Sequence, residues 1–181
     1  MREVEIKIQI SDPEKIANIL ENNGCVFGES IVQHDVVYIP QDQPTVPVQA
    51  GINVLRIRRQ GDKTLLTLKR SDLENHLSKL EHELEVSNPE EMDKIIQLLG
   101  FKIIADTIKT RRKCKINGFE ICIDHVNELG DYLEIEKMTD EDPTKAQEEM
   151  LKYLSNMGID VTGRVDVGYD ILYVRKRLQN T

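Results

Sequence analysis

This sequence predicts an α+β fold in which helices flank a large, mostly antiparallel sheet of about eight strands. Charged and apolar residues alternate with a period of two in several segments, which is typical of strands with one apolar face. Two pairs of these segments flank tight turns, at Gly61-Asp62 and at Asn117-Gly118. Three further segments have apolar residues at helical spacing. A sheet of this size is expected to curl or close.

The first strand shows the alternation most clearly, since Glu3, Glu5 and Lys7 are interleaved with Val4 and Ile6. The remaining strands are predicted at about 26–39, 52–60, 63–70, 80–86, 102–116, 119–127 and 131–138. Three helices are predicted to begin at Asp12-Pro13, Asn88-Pro89 and Asp142-Pro143, to end at Gly24, Gly100 and Gly158, and to be followed by a short helix at 168–178. Segments 40–51 and 70–79 are predicted as loops, either plain surface loops or a cover over one mouth of a cavity.

Length and composition restrict the function classes. The chain has 181 residues and is predicted to form a single domain, 1–181. Its net charge is −8 and only 4% of its residues are aromatic, which argues against a nucleic-acid partner or an anionic membrane surface. Because no apolar run approaches the roughly 20 residues that span a bilayer, we expect a soluble, cytoplasmic protein with no membrane partner.

The chain has three cysteines, Cys25, Cys114 and Cys122. An odd number without Cys-x-x-Cys spacing argues against a disulfide framework and against a structural zinc site. In the register of the Asn117-Gly118 hairpin, Cys114 faces Ile121 rather than Cys122. We therefore expect buried or semi-buried thiols in a reducing compartment.

The charged strand faces predict a metal site. Because the helices need one apolar sheet face to pack on, the charged residues must share the other face. On an open sheet such a face would be solvated and its ion pairs would contribute little. If the sheet closes, the charges persist only by pairing or by binding ions. Carboxylates suit Mg²⁺ or Mn²⁺. The candidate metal ligands are Glu3, Glu5, Asp124, Glu134 and Glu136.

Basic residues on other strands predict an anion site. Arg56 and Arg58 are two residues apart on one strand and therefore point to the same side of the sheet. Each planar guanidinium can there donate two parallel hydrogen bonds to phosphate oxygens. The sequence contains neither a phosphate-binding loop of the G-x-x-x-x-G-K-[ST] type nor a G-x-G-x-x-G motif. The further candidate phosphate-binding residues are Lys7, Lys69, Lys109 and Arg111.

These motifs, taken in order, resemble the CYTH superfamily of triphosphate tunnel metalloenzymes, and within it the class IV adenylyl cyclase branch. The resemblance covers nearly the whole chain. The motifs that carry it are Glu3-x-Glu5-x-Lys7, Asp35-Val-Val-Tyr38, Leu55-Arg56-Ile-Arg58, Leu66-Thr-Leu-Lys69, Glu83-x-Glu85, Lys109-x-Arg111, and Asp124 followed by Leu129-Gly130-Asp131-Tyr132-Leu133-Glu134-Ile-Glu136. The chain departs from related cyclases at Glu128 and Gly168, where they tend to have Gly and Ser.

The resemblance implies a closed, eight-stranded antiparallel barrel that forms a tunnel for a triphosphate. It implies that the five acids listed above hold Mg²⁺ or Mn²⁺, as two ions, and that the six basic residues bind the triphosphate. Lys7, Arg56 and Lys109 are the residues that we assign to catalysis on this basis. The resemblance also allows a homodimer.

The reaction that the resemblance favours is conversion of ATP to cyclic AMP and pyrophosphate. Hydrolysis of thiamine triphosphate or of inorganic tripolyphosphate is the alternative, because the ion-binding residues would look alike in both enzymes. A non-catalytic module that binds polyphosphate or a nucleotide is a third interpretation. It would keep Arg56 and Arg58, but it does not need a cluster of acids.

Overall fold

The structure, a computed structural model, describes residues 2–46, 51–71 and 79–179. Nine strands and four helices lie in these ranges. The strands are β1 (Arg2–Ile10), β2 (Ile31–Pro40), β3 (Asn53–Gln60), β4 (Lys63–Ser71), β5 (Lys79–Glu85), β6 (Phe101–Ile116), β7 (Phe119–Val126), β8 (Gly130–Thr139) and β9 (Arg164–Val165). The helices are α1 (Pro13–Asn22), α2 (Pro89–Leu98), α3 (Pro143–Asn156) and α4 (Tyr169–Gln179).

The strands form one sheet in the order β5-β4-β3-β2-β6-β7-β8-β1-β9. Neighbours pair antiparallel, for example β1 with β8 and β3 with β4. The predicted α+β class is thereby confirmed. A barrel requires its two outer strands to pair, and within the described residues the order ends at β5 and β9, so the sheet is not closed. The prediction of a closed eight-stranded barrel is not confirmed.

The chain divides into two compact units. The first unit comprises Met1–Ile31 and Lys109–Asp166, and the second comprises Val32–Ile108 and Val167–Thr181. Strand β6 contributes residues to both. The single domain over 1–181 stays a prediction.

The three predicted helix starts are confirmed. The side chain of Asp12 accepts a hydrogen bond from the Lys15 N–H at 2.9 Å, and Asn88 and Asp142 cap α2 and α3 in the same way. Each of these helices ends two residues before its predicted glycine. Helix α4 matches the short helix predicted at 168–178.

Both predicted hairpin turns are present, and one other turn is unexpected. At the Asn117-Gly118 turn both residues have positive φ, 50° and 82°, as a two-residue hairpin requires. Glu128, between β7 and β8, also has a positive φ, 67°. Glycine adopts this conformation without steric cost, whereas a residue with a Cβ such as Glu128 does so less readily.

The first unit packs helices on one side of its strands. Ile6, Ile8 and Ile135, which are at most 2% exposed, face the buried Met150 and Leu154 of α3. Helix α1 adds Ala17 and Leu20 to the same core. Apolar stripes of the helices therefore cover the apolar strand face, as the alternation predicts.

The second unit has a smaller core of its own. Ile96 of α2 packs with Tyr38 of β2 and with Leu55 and Ile57 of β3. Tyr38 donates a hydrogen bond from its hydroxyl to Asp93 at 2.7 Å, which satisfies the buried phenol. By alternation Asp35, Arg56 and Arg58 lie on the face that the helix does not cover, whereas Arg59 lies on the helix side and pairs with Glu90 of α2.

The segment before β2 differs from its prediction. The strand expected from residue 26 begins only at Ile31, because Cys25 is bonded to Cys114 and the Gly28 N–H donates to the Lys113 carbonyl at 3.0 Å. The expectation that all three cysteines are thiols is therefore wrong. The two partners are 89 residues apart in sequence, a proximity that hairpin register cannot reveal. Cys122 is free and buried, as predicted.

The two segments predicted as loops lie partly outside the described residues, which omit 47–50 and 72–78. Arg70 and Ser71 belong to β4 and Lys79 belongs to β5, so the strands extend into the second segment. A cover over a cavity mouth stays a prediction for both. In the part of the chain that the structure describes, no helix is both long enough and apolar enough to cross a membrane.

Candidate functional site

The polar face of the first unit is assembled by strand register. Lys7 and Glu5 of β1 lie opposite Glu134 and Glu136 of β8. Strand β7 places Cys122 opposite Glu134, and β6 places Arg111 opposite Asp124. Residues that are directly opposite share one face of the sheet. Acids and bases from four strands are thus brought together by the same alternation that predicted them.

Three of the five predicted metal ligands converge. Glu3, Glu5 and Glu136, which we call the glutamate triad, each offer a carboxylate oxygen, and these oxygens lie within 4.8 Å of one another. Glu3 is exposed, whereas the other two are half-buried. Three hard oxygen donors from neighbouring strands suit Mg²⁺ or Mn²⁺, which are bound by carboxylates and keep waters or phosphates in the remaining positions.

The electrostatics of the triad also suit a cation. Burial, together with the nearby charges of Glu134 and Glu3, raises the pKa of Glu136 from 4.5 to about 8, while Arg111 opposes the shift. Like charges that crowd a partly buried site disfavour ionisation. A divalent cation removes this penalty by neutralising the carboxylates, so the residues present fit a metal ion.

The other two predicted ligands lie in a buried ion network, which consists of Lys7, Lys109, Arg111, Asp124 and Glu134. Lys7 Nζ lies 3.0 Å from Glu134 Oε1. Arg111 binds both oxygens of Asp124, with Nε–Oδ1 2.7 Å and Nη2–Oδ2 2.6 Å, and it also contacts Glu134. Lys109 Nζ is 3.3 Å from Asp124 Oδ2. All five residues are at most 8% exposed.

Within the ion network the basic side chains stabilise the ionised form of Glu134. Burial alone would raise the pKa of Glu134, but the positive charges of Lys7, Arg111 and Lys109 outweigh it and hold the pKa well below the usual range. Three cations face two carboxylates, so the network carries one net positive charge. Such a group can attract a phosphate while staying compensated without one.

The structure thus divides the five predicted acids into two groups. The glutamate triad offers oxygens to a cation, whereas Asp124 and Glu134 hold the basic side chains in place. Glu136 connects the groups, since its Oε1 is 3.9 Å from Arg111 Nη1. Metal coordination by all five acids stays a prediction.

The second unit carries the other predicted phosphate-binding residues. Arg58 forms a bidentate pair with Asp35, with Nε–Oδ1 2.7 Å and Nη2–Oδ2 2.6 Å. Lys69 Nζ lies 2.6 Å from Glu81 Oε1 on the neighbouring strand. These two cations therefore sit in pairs typical of structural contacts.

Arg56 is bound more loosely. Its Nη2 donates to the hydroxyl of Thr67 at 3.1 Å and lies 3.7 Å from Glu83 Oε2. Its Nε is buried and has no hydrogen-bond partner among the described residues. Burial and the adjacent Arg58 lower the pKa of Arg56. A buried guanidinium with an unmet donor is suited to an anionic ligand.

Two residues of this face received no role from the sequence. Asp35 and Thr67 are 8% and 0% exposed and touch the predicted phosphate-binding arginines. Thr67 precedes Lys69 by two positions, so period-two alternation alone places it on the charged face. That signal is weak, because a threonine at such a position is usually only a good strand former.

Comparisons with known proteins agree with these motifs. A family model described as the CYTH domain matches residues 1–169. The chain is 32% identical over 163 residues to a Methanocaldococcus jannaschii protein named "Putative adenylate cyclase", with 88% of this chain and 91% of that protein covered.

Solved structures show the same fold. A conserved hypothetical protein from Pyrococcus furiosus matches with a TM-score of 0.77 and 29% identity, covering 93% of this chain and 98% of that one. A Hippeastrum protein, described as a "putative adenylyl cyclase" with a dominant triphosphatase activity, matches with a TM-score of 0.66 over 98% of this chain and 96% of its own. At 17% identity, this second likeness shows the fold alone.

Proposed function

The chain belongs to the CYTH domain family, and from this premise we propose that it is a metal-dependent enzyme that acts on a triphosphate, converting ATP to cyclic AMP and pyrophosphate. One observation carries the proposal: in the first unit the glutamate triad, on β1 and β8, lies beside a buried, net-positive ion network on β1, β6, β7 and β8. A cation site next to fixed positive charges is what a triphosphate and its metal ion require.

A divalent cation bound by Glu3, Glu5 and Glu136 would supply Lewis-acid stabilisation of phosphate charge. The residues around it have separate tasks. Lys7 and Lys109 are the basic groups of the network with a single flexible ammonium each, and they are suited to contact phosphate oxygens. Arg111 binds Asp124 and Glu134 and holds both carboxylates in place, and after Lys7 it is the charge that most lowers the pKa of Glu134. Arg56, Arg58 and Lys69 of the second unit are proposed as further triphosphate contacts.

In the cyclase reaction the ribose 3′-hydroxyl loses its proton to solvent as its oxygen attacks the α-phosphorus, the bond from that phosphorus to the bridging oxygen breaks, and pyrophosphate leaves. Positive charge near the leaving group stabilises the developing negative charge. We assign this role to Lys7, Arg56 and Lys109. The adenylate cyclase name of the Methanocaldococcus jannaschii relative supports this reaction as the first choice.

Hydrolysis of a triphosphate is the second candidate, supported by the triphosphatase activity of the Hippeastrum protein. Water would then attack the terminal phosphorus, the bond from that phosphorus to the bridging oxygen would break, and the remaining diphosphate would leave as the terminal group becomes orthophosphate. Thiamine triphosphate and inorganic tripolyphosphate are the substrates to test, since both offer the same anionic chain without an attacking ribose next to the phosphate.

The deciding experiment incubates the purified protein with ATP, tripolyphosphate or thiamine triphosphate, each with Mg²⁺ or Mn²⁺ and with EDTA. Cyclic AMP and orthophosphate are both quantified. Cyclic AMP from ATP supports the cyclase, and orthophosphate without cyclic AMP selects the hydrolase. Tight binding without any turnover would favour a non-catalytic binding module.

Metal dependence is tested with Glu5→Gln, matched by Glu148→Gln on the exposed surface of α3. We expect Glu5→Gln to weaken Mn²⁺ binding by more than about tenfold, because it removes a ligand charge. Glu148→Gln should behave like the wild type. Equal Mn²⁺ affinity in the two variants would refute the metal assignment.

A further inference from the structure

Thr67 lies at the centre of three neighbouring strands in the second unit. It is directly opposite Arg56 on β3 and Glu83 on β5, so all three side chains share one sheet face. Thr67 is 0% exposed, whereas the side chain of Glu83 is 45% exposed. A fully buried hydroxyl between two opposite charges must have its hydrogen bonds met by those charges.

Chemistry sets the direction of these hydrogen bonds. A guanidinium can only donate and a carboxylate can only accept, whereas a hydroxyl has one proton and two lone pairs. The Thr67 hydroxyl therefore accepts from Arg56 Nη2 at 3.1 Å and donates to Glu83 Oε2 at 2.8 Å. We call this arrangement of Arg56, Thr67 and Glu83 the Thr67 relay.

The relay leaves Arg56 with capacity for a ligand. The bidentate pair of Arg58 with Asp35 uses Nε and Nη2 of Arg58. In contrast, the distance from Arg56 Nη2 to Glu83 Oε2 is 3.7 Å, too long for a direct hydrogen bond. The Thr67 hydroxyl hydrogen-bonds to both groups, and within the described residues Arg56 Nε finds no partner. Arg58 is thus bound directly by Asp35. Arg56 is instead oriented by Glu83 through the Thr67 hydroxyl.

We infer that Thr67 is a positioning residue that holds Arg56 in its ligand-binding orientation by accepting a hydrogen bond from Arg56 while it donates one to Glu83. The inference rests on the proposed function, since it takes the ligand to be the phosphate chain of a triphosphate. Without the hydroxyl, Arg56 and Glu83 can shorten their 3.7 Å contact to a direct hydrogen bond like those of Arg58 and Asp35, and the arginine is then less available to an anion.

The experiment measures binding of inorganic tripolyphosphate to the full chain by calorimetry, in EDTA and in Mg²⁺. Thr67→Val keeps the branched shape but removes the hydroxyl, and we expect it to weaken binding by about tenfold or more. Thr67→Ser should bind within about threefold of the wild type. Thr64→Val, on the same strand but the opposite face, is the matched control and should bind like the wild type.

A double-mutant cycle tests whether Thr67 acts through Arg56. In an Arg56→Gln background, Thr67→Val should cause no further loss of affinity. An equal loss in both backgrounds would mean that Thr67 supports the site in some other way, and the inference would be overturned. It would also be overturned if Thr67→Val and Thr64→Val bound tripolyphosphate equally well.

A second variant guards against misfolding of Thr67→Val. Glu83→Ala removes a negative charge, so simple electrostatics predicts tighter binding of an anion. The relay predicts the opposite, a severalfold weaker affinity, because the Thr67 hydroxyl is no longer oriented. Glu85→Ala, two residues along β5 and paired with Lys63, removes the same charge outside the relay. If Glu83→Ala binds more tightly than Glu85→Ala, the relay is wrong.

Failure of the proposed function gives a different result. If the wild type binds neither tripolyphosphate nor ATP in Mg²⁺ or in EDTA, the proposed function fails and the inference fails with it. If the wild type binds but the Thr67 variants match their control, only the inference fails.

Discussion

The polar faces of the two units differ in how their buried charged side chains are paired. In the first unit, two nearly inaccessible carboxylates share three cations in a continuous network. In the second unit, acids and bases form separate pairs across neighbouring strands, and one arginine keeps an unmet donor. The difference shows that alternating charges on a strand specify which side of the sheet is polar. They do not specify which acid pairs with which base.

The largest expected effect comes from removing the centre of the network. Arg111→Met leaves Asp124, which is 0% exposed, and Glu134 with fewer partners in a buried position. We expect the free energy of unfolding to fall by about 3–5 kcal/mol, as measured by urea denaturation. Arg112→Met, on the opposite face of β6, is the control. A loss of less than about 1 kcal/mol for Arg111→Met would show that the network is not a structural unit.

A smaller effect concerns Glu136 and depends on pH. Its pKa is 4.5 in ordinary surroundings and about 8 in the folded protein, so the folded state holds the proton more tightly. Stability of the metal-free protein should therefore fall as pH rises from about 4.5 to about 8, by roughly 2–4 kcal/mol from this group.

Glu134, whose pKa is depressed, acts in the opposite sense and adds stability above the pKa of the unfolded chain. The contribution of Glu136 is therefore read as the difference between the wild type and Glu136→Gln, by thermal denaturation in EDTA. If this difference does not change between pH 5 and pH 8, the glutamate triad does not crowd charge as described.

In the second unit, breaking a single pair should affect only that pair. Asp35→Asn removes the charge that binds Arg58 in a site where Asp35 is 8% exposed. We expect a loss of about 1.5–3 kcal/mol in urea denaturation. The Mn²⁺ affinity of the protein should not change, because Asp35 is not among the carboxylates of the glutamate triad. A change in Mn²⁺ affinity would contradict this separation of roles.

The smallest effect is expected at the solvent-exposed end of the same sheet face. Lys63 and Glu85 form a pair at 3.2 Å, but their side chains are 67% and 59% exposed. Lys63→Gln should change stability by no more than about 0.5 kcal/mol. A loss as large as that of Asp35→Asn would mean that exposure does not separate the two kinds of pair.

Much of the fold could be predicted because its signals are local. At Asp12-Pro13 and Asn88-Pro89, the helix starts are capped by hydrogen bonds between residues three apart in sequence. At Asn117-Gly118 the chain turns within two residues. The predictions that were wrong or were not confirmed depend on partners that are far apart in the sequence. The Cys25–Cys114 bond joins residues 89 apart, and closure of the sheet depends on pairing between its two outer strands, which no short pattern encodes.

The same distinction between local signals and contacts of distant residues applies to the candidate site. Alternation alone places Glu3, Glu5 and Lys7 on one face, and the ordered motifs identify the family. The sequence by itself thus determined which residues are available for metal and phosphate chemistry.

The tertiary structure decided how those residues are used. The register of the strands places Glu136 close to Glu3 and Glu5. It also places Glu134 in contact with Lys7 and Arg111. It also places Thr67 between Arg56 and Glu83. The physical reason is that alternation fixes only the side to which a residue points, whereas distance and burial, which determine pairing and pKa, depend on the strands that lie beside it.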